Sequence, residues 1–510
     1  MKTFNYIKKI AFSCLLLLFL GGFSTSLQAQ NPDNDMRKKF DDFRRQIEGE
    51  FQEFRDSIDA QFVRFMRDNW ERFEVFKGQE SPLLPDKPVD PPTAPENAKD
   101  NNSEKIEPKP QRIDPEPELP PLPQREKELP EEDRSMDEKL DDMMSQPQMM
   151  SGSFYTDNIR FSYDPAYQYQ LTSPYGEGIP KAWEQLAGAR HFKQLYREIN
   201  IMADSKQLND WGYLQLVRSV ATSIFPNSVD QQVIFSCFVL NKSGYQVKMG
   251  YTNSSVFLLI PSYQQVFEKP YLTIEGVYFY VFTFGRNLDR SESIVTYKGQ
   301  YGNSNRRIDF TFKKPMRLSK QSRLKQLSFE YNYQTYQVNV NYNPTLIDFY
   351  QDMPHVDFEV TLSSPLSESA YASIRSALLP LLQGKSEREQ VNIILRFVQK
   401  AFAYKTDQDQ FGVEKYFYPE ELMHFPYSDC EDRSAMFSTL VRNMLGLEVI
   451  GLIFPNHLAT AVRFNENVEG DFLEHEGKRF VICDPTYIGA DVGMCMPRFK
   501  NAEVTLVLLD

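Results

Sequence analysis

The sequence predicts an α+β protein in several parts, and three observations carry that reading. At 510 residues the chain is too long for one hydrophobic core. Its prolines are concentrated, with 14 of the 32 between Ser81 and Pro130, which marks a linker. Beyond the linker, helical periodicity and strict strand alternation come in blocks, first helices, then strands, then helices again.

The elements follow in order. Residues 1–29 have the build of a secretory signal: Lys2, Lys8 and Lys9, an apolar run from Ile10 to Phe23, and small residues leading to a cut near Ala29. That run is too short to span a bilayer comfortably. Cys14 does not suit a lipoprotein, because its apolar run follows the cysteine. Later in the chain there is no stretch of 18 continuous apolar residues. The expectation is an exported protein: periplasmic, cell-surface or secreted.

Residues 33–78 read as one long amphipathic helix. Phe pairs stand at 40/43, 51/54, 62/65 and 73/76, a repeat of 11 residues that Ile47 and Ile58 share. Eleven residues make three turns at about 3.67 per turn, so the stripe over 36–77 stays on one face. Such a stripe docks on the chain's own domains or on a second copy, as in a coiled coil. The alternative is contact with the cell envelope, which the mixed charges of the polar face disfavour.

From 79 to 150 apolar periodicity vanishes, and a disordered, Pro-rich acidic linker is expected. Ser81–Met150 carries 18 Asp and Glu against 9 Lys and Arg. The whole chain has a net charge of −13, which argues against nucleic acid as a partner.

Residues 151–285 begin the folded region, with helices over 180–199, 207–225 and 229–242, then strands at 245–251, 255–260 and 277–284. Residues 286–368 alternate as an antiparallel β domain, for instance at Leu327–Tyr333 and Tyr336–Tyr342. The last part, 369–510, returns to helix, with helices read at 368–382 and 386–403. A helix over 430–445, stopped by Gly446, then precedes strands at 448–454, 458–464 and 479–484.

That last part holds the residues that carry chemistry. Cys430, His457 and Asp484 stand 27 residues apart in both steps. A thiol acts as nucleophile only as thiolate, so it needs a base and a group to orient the base. Cys430 opens a helix, where free amides and the dipole favour a thiolate. His457 follows the Pro455-Asn456 turn at the start of a strand, and Asp484 ends another.

The run Asp429-Cys430-Glu431-Asp432-Arg433-Ser434, with His457-Leu-Ala-Thr-Ala-Val462 and Cys483-Asp484-Pro485-Thr486-Tyr487, resembles the core of the transglutaminase-like superfamily. So does Tyr418-Pro419-Glu420-Glu421-Leu422. The likeness spans roughly Glu387–Tyr487, about a fifth of the chain. It implies a papain-like triad with Cys430 as nucleophile, His457 as base and then acid, and Asp484 as the orienting group. Ser428 stands where the family often has glycine, and Leu458 where alanine is common. Neither change removes a reacting atom.

Beside Cys430, the mature chain has Cys237, Cys483 and Cys495, too few for a disulfide framework and without metal-ligand spacing. No metal and no cofactor are expected. Cys483 and Cys495 are near enough in sequence to bridge. The oxyanion donor would be the Cys430 N–H with one of Gln399, Gln408, Gln410 or Tyr418.

A faint internal repeat lies upstream. Moved back by 202 residues, Phe437, Asn443, Gly446 and Val449 fall on Phe235, Asn241, Gly244 and Val247. The triad positions become Ser228, Ser255 and, at 201, Thr283. Residues 151–285 thus read as a degenerate transglutaminase-like module, kept for packing or binding.

The function expected is that of an exported thiol acyl-transfer enzyme, a transglutaminase-like cysteine peptidase or amidohydrolase acting on a peptide or protein substrate. The alternatives are a cross-linking transglutaminase, or a non-catalytic binding or assembly protein with a vestigial triad.

Overall fold

The computed structural model describes residues 58–81, 90–95, 103–108, 147–173, 175–189, 191–289, 292–319 and 321–509. These belong to one compact unit, 57–129 with 142–510. The signal segment and the first half of the phenylalanine stripe lie outside the described residues. Among the described residues no helix is long and apolar enough to cross a membrane.

Helix α1 (58–68) buries Phe62, Val63 and Met66 in the chain's own core. Phe62 sits edge-on to Trp183, Tyr297 and Tyr301 at 4.9, 5.7 and 5.3 Å. Each such pair adds about 0.5–1.5 kcal/mol beyond area burial. The helix expected through residue 78 stops at 68. Glu71–Phe73 instead forms strand β1, whose backbone pairs with β8 (Ile294–Thr296), and Phe76 pairs with Tyr271. An open sheet edge there satisfies the backbone groups that a helix would have bonded internally.

The hairpin β2 (Gln148–Phe154) and β3 (Asp157–Tyr163) leads to four helices: α2 (Tyr175–Ala187), α3 (Phe192–Ser205), α4 (Asp210–Ile224) and α5 (Val229–Lys242). The helix read over 180–199 is two helices, broken after Ala187 at the Gly188 turn. Strands β4 (Lys248–Tyr251), β5 (Val256–Ile260), β6 (Tyr271–Ile274) and β7 (Val277–Phe282) complete a sheet ordered β1-β8-β4-β5-β7-β6.

The expected β domain over 286–368 takes a different form. Strand β8 joins the N-terminal sheet. Only β9 (Arg323–Tyr331) and β10 (Gln334–Tyr342) form a hairpin, which buries Leu327, Phe329, Val338 and Val340 on one face. Residues 297–319 are irregular apart from isolated bridges, and two helices follow the hairpin: α6 (Pro344–Asp352), started by Asn343 capping the Thr345 N–H, and α7 (Phe358–Ser363).

The C-terminal part adds α8 (Glu368–Leu382), α9 (Glu387–Ala401), β11 (Ala403–Tyr404), α10 (Asp407–Phe411), β12 (Tyr427–Ser428) and α11 (Cys430–Leu445). Gly446 ends α11 in the left-handed region at φ 68°. Then come β13 (Glu448–Phe454), β14 (His457–Arg463), β15 (Phe472–His475), β16 (Lys478–Cys483) and β17 (Thr505–Val507), ordered β15-β16-β14-β13-β17.

The two sheets repeat each other. Strands β8-β4-β5-β7-β6 and β17-β13-β14-β16-β15 run in the same spatial order, each sheet following a helix, α5 or α11. Their registers also agree. The pair Lys248↔Leu259 becomes Ile450↔Ala461 on adding 202, and Tyr271↔Tyr280 becomes Phe472↔Val481 on adding 201. Leu258↔Phe282 becomes Thr460↔Cys483 when 202 and 201 are added in turn.

Two pieces of the expected disordered linker are ordered. Pro92 and Ala94 exchange backbone hydrogen bonds of 2.8 Å with Ile488. Ile106 donates to Phe472 O at 2.8 Å, and Phe472 donates to Glu104 O at 3.0 Å. Ala94 and Ile106 are buried against the C-terminal sheet with Leu473, Phe480 and Ile482. The edge of β15 and the loop after β16 would otherwise leave backbone groups unpaired, so the linker is spent on covering them. The remainder of 82–146 lies outside the described residues.

Candidate active site

The repeat's connectivity decides what meets at one end of the C-terminal sheet. Strands β14 and β16 are antiparallel, so the start of β14 and the end of β16 lie together, and the N-terminus of α11 packs beside them. Ser434, in the first turns of α11, donates its hydroxyl to Leu458 O at 3.0 Å. Cys430 packs with Leu458 in one small apolar cluster. All three candidate residues are buried, Cys430 at 1%, His457 at 2% and Asp484 at 3% exposure.

Asp484 is held by the turn that follows it. Its Oδ1 accepts from the backbone N–H groups of Thr486 and Tyr487 at 2.9 and 3.1 Å. Its Oδ2 is 2.9 Å from His457 Nε2. That leaves Nδ1 as the imidazole nitrogen available to a thiol. Phe499 stacks on the imidazole at 5.1 Å and 11°, and itself stacks on Phe454 at 4.6 Å and 15°.

Gln399 fastens the loop that carries Asp484. Its amide nitrogen donates to the carbonyls of Asp484, Tyr487 and Ala490 at 3.1, 2.8 and 3.1 Å. Its oxygen accepts from Gly489 N and from Arg396. The Gln399 amide, considered from sequence as an oxyanion donor, is thus engaged with the 484–490 loop. Tyr418 is buried and stacked on Tyr350 at 4.6 Å.

The surroundings of Cys430 differ from those inferred from a helix terminus alone. Its Sγ lies 3.0 Å from Glu431 Oε2. Asp407, Asp429 and Asp432 bring carboxylate oxygens within 4.8 Å of one another, and so do Asp407, Glu414 and Glu431. Among the described residues these groups, with the Cys430 thiol, are near enough together to hold a cation. Burial and the neighbouring Asp429, Asp407 and Glu431 push the Asp432 carboxyl well above the usual range. Arg433 supplies positive charge beside them. It donates to Phe402 O at 2.7 Å, and burial lowers its pKa to about 10.

Phe358 and Leu362 of α7 and Tyr416 belong to the same small apolar cluster as Cys430. Sequence reading missed this neighbourhood, because nothing local links 354–363 to residue 430.

The equivalent corner of the N-terminal repeat is built differently. Ser228 caps α5 by accepting from Gln231 N. Asp230, in the first turn of α5, and Arg286, just beyond β7, form an ion pair. Asp230 also accepts from Val256 N at 2.8 Å, and Arg286 donates to the carbonyls of Val256 and Thr283. The salt bridge ties helix start, strand start and strand end, the three points that a triad would occupy.

Cys237, Cys483 and Cys495 are free, so Cys483 and Cys495 are not bridged, and burial raises the pKa of each. His424 is engaged with Tyr342, and His475 with Glu476. Comparison with family models, curated proteins and solved structures matches none of them.

Proposed function

We propose that this chain is an exported thiol acyl-transfer enzyme with a transglutaminase-like, papain-like C-terminal domain, hydrolysing amide bonds in peptides or proteins. The observation that carries the reading is the buried His457 Nε2–Asp484 Oδ2 hydrogen bond of 2.9 Å, set beside the start of the helix that Cys430 opens. In this reading Cys430 Sγ attacks the amide carbonyl while its proton passes to His457 Nδ1. The C–N bond breaks as His457 protonates the leaving amine. Water then attacks the thioester, giving its proton to His457, and the S–C bond breaks to release the acid. Asp484 holds the imidazole and stabilises its charged form.

A second reading has its own support. The thiol donates to Glu431, and Cys430 is only 1% exposed. Both features suit a binding or assembly protein with a vestigial triad.

Alkylation by iodoacetamide at neutral pH separates the two. The enzyme reading expects Cys430 to label faster than Cys495, and His457→Ala to slow it. Equal rates, unaffected by His457→Ala, would leave the non-catalytic reading. Release of new amino termini from an unfolded protein, against incorporation of an added amine, then distinguishes hydrolysis from cross-linking.

A further inference from the structure

The corner of the N-terminal repeat that corresponds to the thiol site opens into a cleft. In the register that the two sheets share, Ser228 stands for Cys430, Gln231 for Arg433 and Asn253 for Pro455. Cys430 and Arg433 are each 1% exposed, whereas Ser228 and Gln231 are half-buried and Asn253 is exposed. All three line an open cleft of about 690 Å³. The rest of its lining comes from Asp230, from residues 168–171, and from Ser173 and Tyr175.

Hydrogen bonds tie the start of α5 to residues 168–175 and so fix the shape of the cleft. Tyr169 Oη donates to Gln231 O at 2.7 Å, and the Gln231 side-chain amide donates to Tyr169 O. Tyr175 Oη donates to Asp230 Oδ2 at 3.0 Å, and Gln168 Nε2 donates to Ile224 O at 2.9 Å. A cleft held in this way loses little freedom when it binds. The exposed side chains of Gln170, Ser173 and Asn253 make no hydrogen bond among the described residues, and are open to a ligand.

The chemistry of the lining narrows the class of ligand. It contains no Lys, Arg or His, and its one carboxylate, Asp230, is paired with Arg286. Neither an anion nor a cation therefore finds an uncompensated partner. Leu171 is its only aliphatic side chain, whereas pockets for apolar ligands are lined mostly by such groups. A peptide is held by an open strand edge, an apolar groove or charged anchors. Strands β4 and β5, whose connecting turn carries Asn253, are interior to their sheet and offer no edge. What the cleft does offer is side-chain amides and hydroxyls, groups that both donate and accept. The hydroxyls of a neutral sugar do the same. The volume lies within the roughly 300–1,000 Å³ of ligand pockets, which suits a short oligosaccharide.

We propose that the N-terminal repeat is a binding module whose triad-equivalent corner takes a neutral oligosaccharide. The proposal does not rest on the acyl-transfer reading.

The test is isothermal titration calorimetry of the full chain. The neutral probes are cellohexaose, maltohexaose, mannohexaose, xylohexaose and N-acetylchitohexaose. Hexagalacturonate, hexaglucosamine and an uncharged octapeptide of Ser, Asn and Gln serve as comparisons. At least one neutral sugar should bind with a Kd below about 1 mM, and each comparison probe at least about tenfold more weakly. The double variant Gln170→Ala/Asn253→Ala should weaken the sugar by about tenfold, with an unchanged circular dichroism spectrum, because neither side chain is bonded within the protein. Cys430→Ala should bind as the parent does. Binding of none of the neutral sugars, equal binding of a charged or peptide probe, or full affinity in the double variant would overturn the proposal. Loss of sugar binding in Cys430→Ala would place the sugar at the thiol and overturn it as well. Sugar binding with Cys430 no more reactive than Cys495 would sink the enzyme reading and leave the module standing. A fast-reacting Cys430 in a chain that binds none of the sugars would do the reverse.

Discussion

Glu431 Oε2 stands 3.0 Å from Cys430 Sγ, so a carboxylate is the hydrogen-bond acceptor for the thiol that opens α11. The helix terminus offers the sulfur only about half a positive charge. A carboxylate at this distance outweighs it. Glu431→Gln removes that repulsion and should therefore speed alkylation of Cys430 at pH 7 by about tenfold, the effect of roughly 1.4 kcal/mol. A rate equal to or below that of the parent would show that Glu431 does not restrain the thiol.

Asp484→Asn keeps the size of the side chain while removing the charge that stabilises protonated His457. On the acyl-transfer reading kcat/KM should fall by about 10²–10⁴-fold, the range for a disabled general base. The circular dichroism spectrum should be unchanged, because the amide oxygen still accepts from Thr486 and Tyr487 N–H. Loss of the fold together with activity would make Asp484 a structural residue only.

The sequence made the local parts of this site legible and the surroundings illegible, for a physical reason. Helix α11, its Gly446 stop and the strands bearing His457 and Asp484 follow from periodicity and turn residues, which are local. The repeat was legible because Gly244 and Gly446, and the Glu-Gly turns at 275 and 476, mark the same turns; Gly446, Gly276 and Gly477 adopt φ of 68°, 79° and 73°. The hydrogen bonds of Gln399, the clustering of Phe358 with Cys430 and the convergence of Asp407 on Asp429 join segments distant in sequence. Strand β1 misled for a related reason: its 11-residue stripe is helical, yet an open sheet edge captured the backbone.

The ordered linker segment gives a prediction of stability. Ile106 is 1% exposed in the C-terminal core, and its neighbour Glu104 meets Lys500 while its own backbone extends β15. Ile106→Ala should cost about 2–4 kcal/mol of the docking energy. Limited proteolysis should then cut within 90–108 at protease concentrations that leave the parent intact. If the variant resists cleavage as the parent does, the segment contributes little to its own docking.

Glu421 sets a dependence on pH. Its side chain is fully buried, accepting from Tyr418 N at 2.9 Å with Lys415 at 3.7 Å. Burial raises its pKa from 4.5 to about 7, against the opposing pull of Lys415. The folded state thus holds the proton more tightly than the unfolded state does. Its contribution to stability is full below about pH 4.5 and is lost as pH rises through about 7. Burial raises Glu420 and Asp432 as well, with the same sign. The urea midpoint should accordingly fall between pH 5 and pH 8. Glu421→Gln stays neutral and keeps an oxygen for Tyr418 N–H, so it should flatten the slope by on the order of 3 kcal/mol across that window. A parent midpoint that rises from pH 5 to pH 8, or an identical slope in the variant, would mean that Glu421 is ionised in the folded protein throughout.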